Sequence, residues 1–173
     1  MPNILILVFL PLAAGLFSFF CKNHFVRRLV FVSTAFIHLI LTLFFGLHKT
    51  IQSNDWFYLD PLGFLFLLIT SILFFASSLY GMAYLRLEEK SHKKDFEEGF
   101  FFKNLPEAVF TGCILFFLAT MTLVTMSQHF GMLWIGMEAT TLFSAPLIYF
   151  HRNHQSLEAT WKYLLICSVG IAL

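Results

Sequence analysis

Glu138 stands alone in WIGMEATTLF, residues 134–143, inside an apolar run that extends from about 128 to 150. About ten residues into a helix of that length, its carboxyl lies ~15 Å deep. An ionisable group at that depth of a bilayer costs at least a few kcal/mol unless it faces protein or water. Such a group either takes up and hands on protons or hydrogen-bonds a neighbouring helix. Lys162 is the second candidate, about six residues or roughly 9 Å into the last apolar segment. It is either a cationic step toward Glu138 or a side chain that snorkels to the interface, with Glu158 four residues earlier in the favourable order for a helical ion pair. Glu138 lies about 18 Å from the inner end of its helix, so Lys162 is some 9 Å shallower and the two cannot pair directly. His38, in mid-span, fits a satisfied core histidine better than a relay. His129, at an outer turn, fits either an exit-side proton site or a helix cap. The proton-relay candidates are therefore Glu138, Lys162, His129 and His38. Asp60 and Glu107 read as helix starts.

The elements that hold these residues follow from composition. Of 173 residues, 58% are hydrophobic and 12% charged, with 24 phenylalanines. A soluble domain carries about twice that charge, so the chain reads as an integral membrane protein whose first partner is the lipid bilayer. A formal net charge of +1 supplies no basic field for nucleic acid. Cys21, Cys113 and Cys167 show no CxxC spacing, which points to thiols acting as small hydrophobes and to no metal site. No phosphate loop, dinucleotide fingerprint, haem motif or hydrolase triad is present, so no cofactor and no catalytic residue is expected.

Six segments approach the ~20 residues of a membrane helix: about 3–21, 28–48, 61–85, 105–126, 128–150 and 156–173. The first has no positive residue before its apolar run and is too long for the core of a signal peptide. Asp60-Pro61 looks like an N-cap followed by proline at the first helical position. Asn104-Leu105-Pro106-Glu107 repeats that logic, with Glu107 at the positive end of the helix dipole. Ser127-Gln128-His129 leaves room only for a tight turn. In the fifth segment Gly136, Thr140 and Ser144 form a small-residue stripe for close helix approach, and Pro146 frees the Leu142 carbonyl. Lys22, Arg27 and Arg28 lie in the first loop, and Arg86, Lys90, Lys93, Lys94 and Lys103 in the third. Arg152 is in the fifth, whereas the second holds only Lys49 and the fourth none. This alternation puts the odd loops in the cytoplasm and the N-terminus outside. Phe100–Phe102 and Trp56, Phe57 and Tyr58 suit the two interfaces. The expected fold class is an all-α, polytopic transmembrane bundle of about six spans.

WIGMEATTLFSAPLIYF followed by SLEATWKYLLICSVGIAL resembles the antiporter-like, proton-pumping membrane subunits shared by complex I, Mrp-type cation/proton antiporters and energy-converting hydrogenases. EATTL, SLEATWKYL and CSVGIAL look most like the F-type component of hydrogenase-4. WFYLDPLGFLFLLITSILFFASSLYGMAYL fits the family's third-helix pattern, LDxLG followed by a tyrosine-rich end. The resemblance covers most of residues 56–173. It implies that Glu138 matches the fifth-helix glutamate that relays protons and that Lys162 matches a basic residue on the cytoplasmic approach. It further implies a non-catalytic, proton-translocating component of a hydrogenase or NADH-quinone oxidoreductase-type complex in the inner or plasma membrane. Its partners would be other membrane subunits and the redox subunits that hold the metal centres and flavin. An Mrp-type antiporter component, and a structural anchor with Glu138 as interhelical glue, are the alternatives. Family members have about fourteen spans with inverted repeats, so the expectation is an N-terminal portion of a longer protein.

Overall fold

The computed structural model describes residues 4–21, 23–48, 56–88 and 105–173. Lys22 and Lys49 lie outside the described residues, as do Lys90, Lys93, Lys94, Phe100–Phe102, Lys103 and Asn104. Six helices follow in order: α1 Ile6–Phe20, α2 His24–His48, α3 Pro61–Glu88, α4 Glu107–Met126, α5 Phe130–Ile148 and α6 His154–Ala172. A 3-10 turn, Tyr149–His151, joins α5 to α6. Among the described residues the only β-type pairing is an isolated antiparallel bridge between Phe57 and Ser127. The all-α polytopic expectation holds.

The helices follow the apolar runs. The largest departure is α2, which begins at His24 rather than near 28. Its early start has a local cause: the Asn23 side-chain oxygen accepts the Phe25 N–H at 3.1 Å, satisfying one of the orphan donors of the first turn. Among the described residues four helices are both long and apolar enough to cross a bilayer: His24–Leu47, Pro61–Leu87, Glu107–Met126 and Phe130–His151. The other two, α1 and α6, match the remaining expected segments with weaker signals. α1 is apolar but has only 15 residues, about 22 Å against a hydrocarbon core of about 30 Å. α6 has 19 residues, but its first half carries Gln155, Glu158 and Lys162.

Consecutive helices run antiparallel, as cross-links at the two ends of the bundle show. At one end the Tyr58 N–H donates to the Met126 carbonyl at 2.9 Å and the Gln128 N–H to the Trp56 carbonyl at 3.0 Å. These bonds tie the entry to α3 onto the turn between α4 and α5. At the other end the Leu105 N–H donates to the Phe150 carbonyl at 2.9 Å, and the Tyr84 hydroxyl meets His151 Nε2 at 3.2 Å. Asp60 caps α3 as expected, accepting the Gly63 N–H at 2.7 Å.

α1 to α4 form the core, and α5 packs against α4. Buried positions recur every three or four residues: Phe31, Ala35, His38, Thr42 and Phe45 on α2, and Thr111, Leu115, Leu118, Thr122 and Met126 on α4. That spacing gives each helix one buried stripe. Two apolar clusters result. One joins Ile4, Leu7, Val8, Phe45, Leu67 and Met126, and the other Phe31, Ala35, Phe74, Leu115 and Leu118. Remaining faces are apolar and exposed, as lipid-facing surfaces are. α5 buries only Gly136 and Ala145, and α6 buries no residue.

Gly136 lets α5 approach α4: a Cβ added there would lie 2.7 Å from Val124 Cγ2 and 2.9 Å from Leu123 Cδ2. Gly136→Leu should therefore lower stability by about 1–3 kcal/mol, read as thermal unfolding in detergent micelles. Gly170 has nothing within 4 Å of its virtual Cβ, so Gly170→Ala should hold or raise the midpoint through helix propensity.

Candidate functional site

Glu138 sits halfway along α5, about 12 Å from its start at Phe130 and about 15 Å from its end at Ile148. The carboxyl is half-buried and faces α6, where the Ser168 hydroxyl donates to Oε1 at 3.4 Å. The Glu138 carbonyl accepts the Thr141 hydroxyl at 2.7 Å, and the Thr141 carbonyl accepts the Ser144 hydroxyl at 2.9 Å. These bonds to carbonyls three residues back run toward Pro146, past which α5 continues two residues before tightening into the 3-10 turn. Ser144 also meets the Tyr163 hydroxyl of α6 at 2.7 Å. The small-residue stripe thus divides its work. Gly136 closes the dry contact with α4, and Ser144, beyond the carboxyl along the helix, joins Glu138 on the side of α6. Trp134, Ile135 and Leu142 remain exposed.

Lys162 pairs with Glu158 on the same helix, and both side chains are exposed. Lys162 precedes Ser168 by six residues, about 9 Å along α6, so the ammonium is set off from the Glu138 carboxyl by that distance. The structure brings Glu138 together with Ser168, and Lys162 together with Glu158, but does not bring the two candidates into contact.

His129 is the N-cap of α5. Its Nδ1 accepts the Gly131 N–H at 3.1 Å, which places its proton on Nε2, and the ring stacks on Trp56 with centroids 4.9 Å apart. His38 is fully buried on α2. Its Nε2 lies 3.1 Å from Thr122 Oγ1 on α4 and its Nδ1 3.1 Å from Ser71 Oγ on α3. Thr42 Oγ1 lies 3.1 Å from the same serine. The polar knot lies between the two apolar clusters and joins α2, α3 and α4.

Sequence reasoning missed a charged corner. Glu107 does more than start α4: Arg28 Nε donates to its Oε1 at 2.6 Å and Arg28 Nη2 to its Oε2 at 3.1 Å. His24 Nδ1 reaches the same Oε2 at 2.6 Å. Arg28 also donates to the Leu85 carbonyl at the end of α3, at 3.4 Å. Arg27, Arg28 and Glu107 are all nearly buried. The first-loop arginines read from sequence as topology signals; the only hint of pairing was a carboxylate at the same end of the bundle.

No protein-family model matches the chain. Among curated proteins it is 28% identical over 139 residues to the Hydrogenase-4 component F homolog of Methylacidiphilum infernorum (isolate V4), an alignment covering 80% of this chain and 27% of that protein. It is 39% identical over 57 residues to NADH-ubiquinone oxidoreductase chain 2 of Saccopteryx bilineata, covering 33% of this chain and 16% of that protein. The chain thus spans about a quarter of the length of the first relative. Both similarities bear out the resemblance to the antiporter-like membrane subunits.

Two outcomes follow from this geometry. His129→Ala should cost about 1 kcal/mol through the lost cap, whereas His129→Asn, which can accept the same N–H, should recover most of it; chemical denaturation in detergent measures both. Glu107→Gln removes the charge that Arg28 and Arg27 share. It should lower stability by about 3–5 kcal/mol, enough to show as reduced yield of folded protein in the membrane fraction.

Proposed function

We propose, on the premise that this chain resembles the antiporter-like membrane subunits of complex I and energy-converting hydrogenases, that it forms part of a proton-translocating membrane component of such a complex. The observation that carries the proposal is the place of Glu138: halfway along an otherwise uncharged α5, half-buried, with its carboxyl meeting the Ser168 hydroxyl of α6 at 3.4 Å. An acid midway along a membrane helix, met by a hydroxyl and by no counter-ion among the described residues, is a functional-site candidate by default. Lys162 stands on the cytoplasmic approach. Protons enter there and reach Glu138 through water or an intervening side chain, since about 9 Å separates the two levels. His38, with both ring nitrogens engaged, and His129, with one nitrogen engaged in a cap, hold the scaffold in this scheme. Redox energy comes from partner subunits in the cell's inner or plasma membrane, and this chain's own residues handle only protons.

The similarity to proteins named for a hydrogenase and for NADH-ubiquinone oxidoreductase favours a redox-driven complex over an Mrp-type antiporter, which sodium-dependent transport would reveal instead. The Ser168 bond also suits a structural role, with Glu138 as interhelical glue.

Glu138→Gln in the assembled complex separates these readings. Under the proposal, proton pumping into vesicles falls by about a hundredfold while assembly is retained. Unchanged pumping with intact electron flow refutes the relay role. The structural reading predicts instead a silent Gln variant and a destabilised Glu138→Ala.

A further inference from the structure

Arg27 is buried at the corner where α1 ends and α2 and α4 begin, with its side chain 7% exposed. Its contacts are few. Nη2 donates to the Cys21 carbonyl at 2.5 Å. Nη1 lies 3.9 Å from Glu107 Oε2, beyond a hydrogen bond, and both Glu107 oxygens already accept from Arg28 and His24. Nε is buried with no hydrogen-bond partner among the described residues. Arg27 thus has only a distant share of Glu107, which Arg28 and His24 hold closely, in surroundings where a charge needs a close counter-ion. The first turn of α2 adds the positive end of a helix dipole. The corner opens outward through His24, whose side chain is 55% exposed, and Phe20 and Phe25 flank it as exposed aromatic surface.

We propose that this corner binds the phosphate of an anionic phospholipid. The guanidinium fork matches a phosphate diester, His24 supplies a second donor at the rim, and Phe20 and Phe25 offer surface for acyl chains. A basic pocket between membrane helices, at the end of the bundle richest in lysine and arginine, is where such headgroups bind. The lipid would close α1 onto α2 and α4 with an anion nearer to Arg27 than Glu107, its only ion-pair partner among the described residues. The site lies at the opposite end of the bundle from His129 and is independent of the role of Glu138.

The test is lipid binding by the full chain in nanodiscs of phosphatidylcholine, titrated with phosphatidylglycerol and read by native mass spectrometry. The wild type should retain a phosphatidylglycerol that Arg27→Gln binds about tenfold more weakly. Arg27→Lys, which keeps the charge but loses the fork, should fall between them, and it carries the comparison should the Gln variant not fold. Arg152→Gln, at the same end but exposed, should bind as the wild type does. Equal retention by wild type and Arg27 variants overturns the proposal, as does an equal loss in Arg152→Gln, which would mean diffuse attraction. Displacement by inorganic phosphate as effective as by phosphatidylglycerol would mark a free-anion site and overturn the lipid assignment.

Discussion

Within hydrocarbon a hydrogen-bonding group has no water to turn to, so each polar side chain on these helices must meet a partner on its own backbone or on another helix. That constraint organises the core. His38 draws a serine from α3 and a threonine from α4 to one point. Apolar packing alone would let four leucine- and phenylalanine-rich helices slide, because lipid tails solvate them as well as they solvate each other. The polar knot, set between two apolar clusters, fixes the register of α2, α3 and α4. Ser18 and Thr111, 2.6 Å apart, do the same nearer the charged end of α1 and α4.

α5 answers the constraint differently on its two sides. Toward α4 it presents Gly136 and a dry van der Waals contact with Leu123 and Val124. Toward α6 it presents Glu138 and Ser144, each met by a hydroxyl. The helix that carries the mid-depth acid is therefore apolar where it is fixed and polar where its neighbour is less encumbered. Lys162, held by Glu158 on the first half of α6, adds a separated charge pair along that helix instead of neutralising the acid.

Much of the bundle was legible in the sequence because its signals are local. Apolar runs set the helices, Asp60-Pro61 set the start of α3, and the depth of Glu138 followed from counting residues. The i,i+4 order of Glu158 and Lys162 gave their pairing. Long-range pairings were not legible. Ser71 and Thr122 look like any helical hydroxyl until His38 is placed between them, and Glu107 meets Arg28 across 79 positions of chain. Arginines counted for membrane orientation carry no mark of which carboxylate they will seek. The two end helices carry the weakest span signals for a physical reason: α1 is short, and the first half of α6 is polar.

α4 and α5 are joined at one end by a tight turn that backbone bonds from Trp56 and Tyr58 hold to the entry of α3, and at the other by the backbone bond from Leu105 to Phe150. Neither helix can ratchet past the other without breaking that bond or the turn, so together they act as a stator. α6 leans chiefly on α5 and the 3-10 turn and buries no residue of its own. If the surroundings of the Glu138 carboxyl are to alternate, the moving part is the side that carries Ser168.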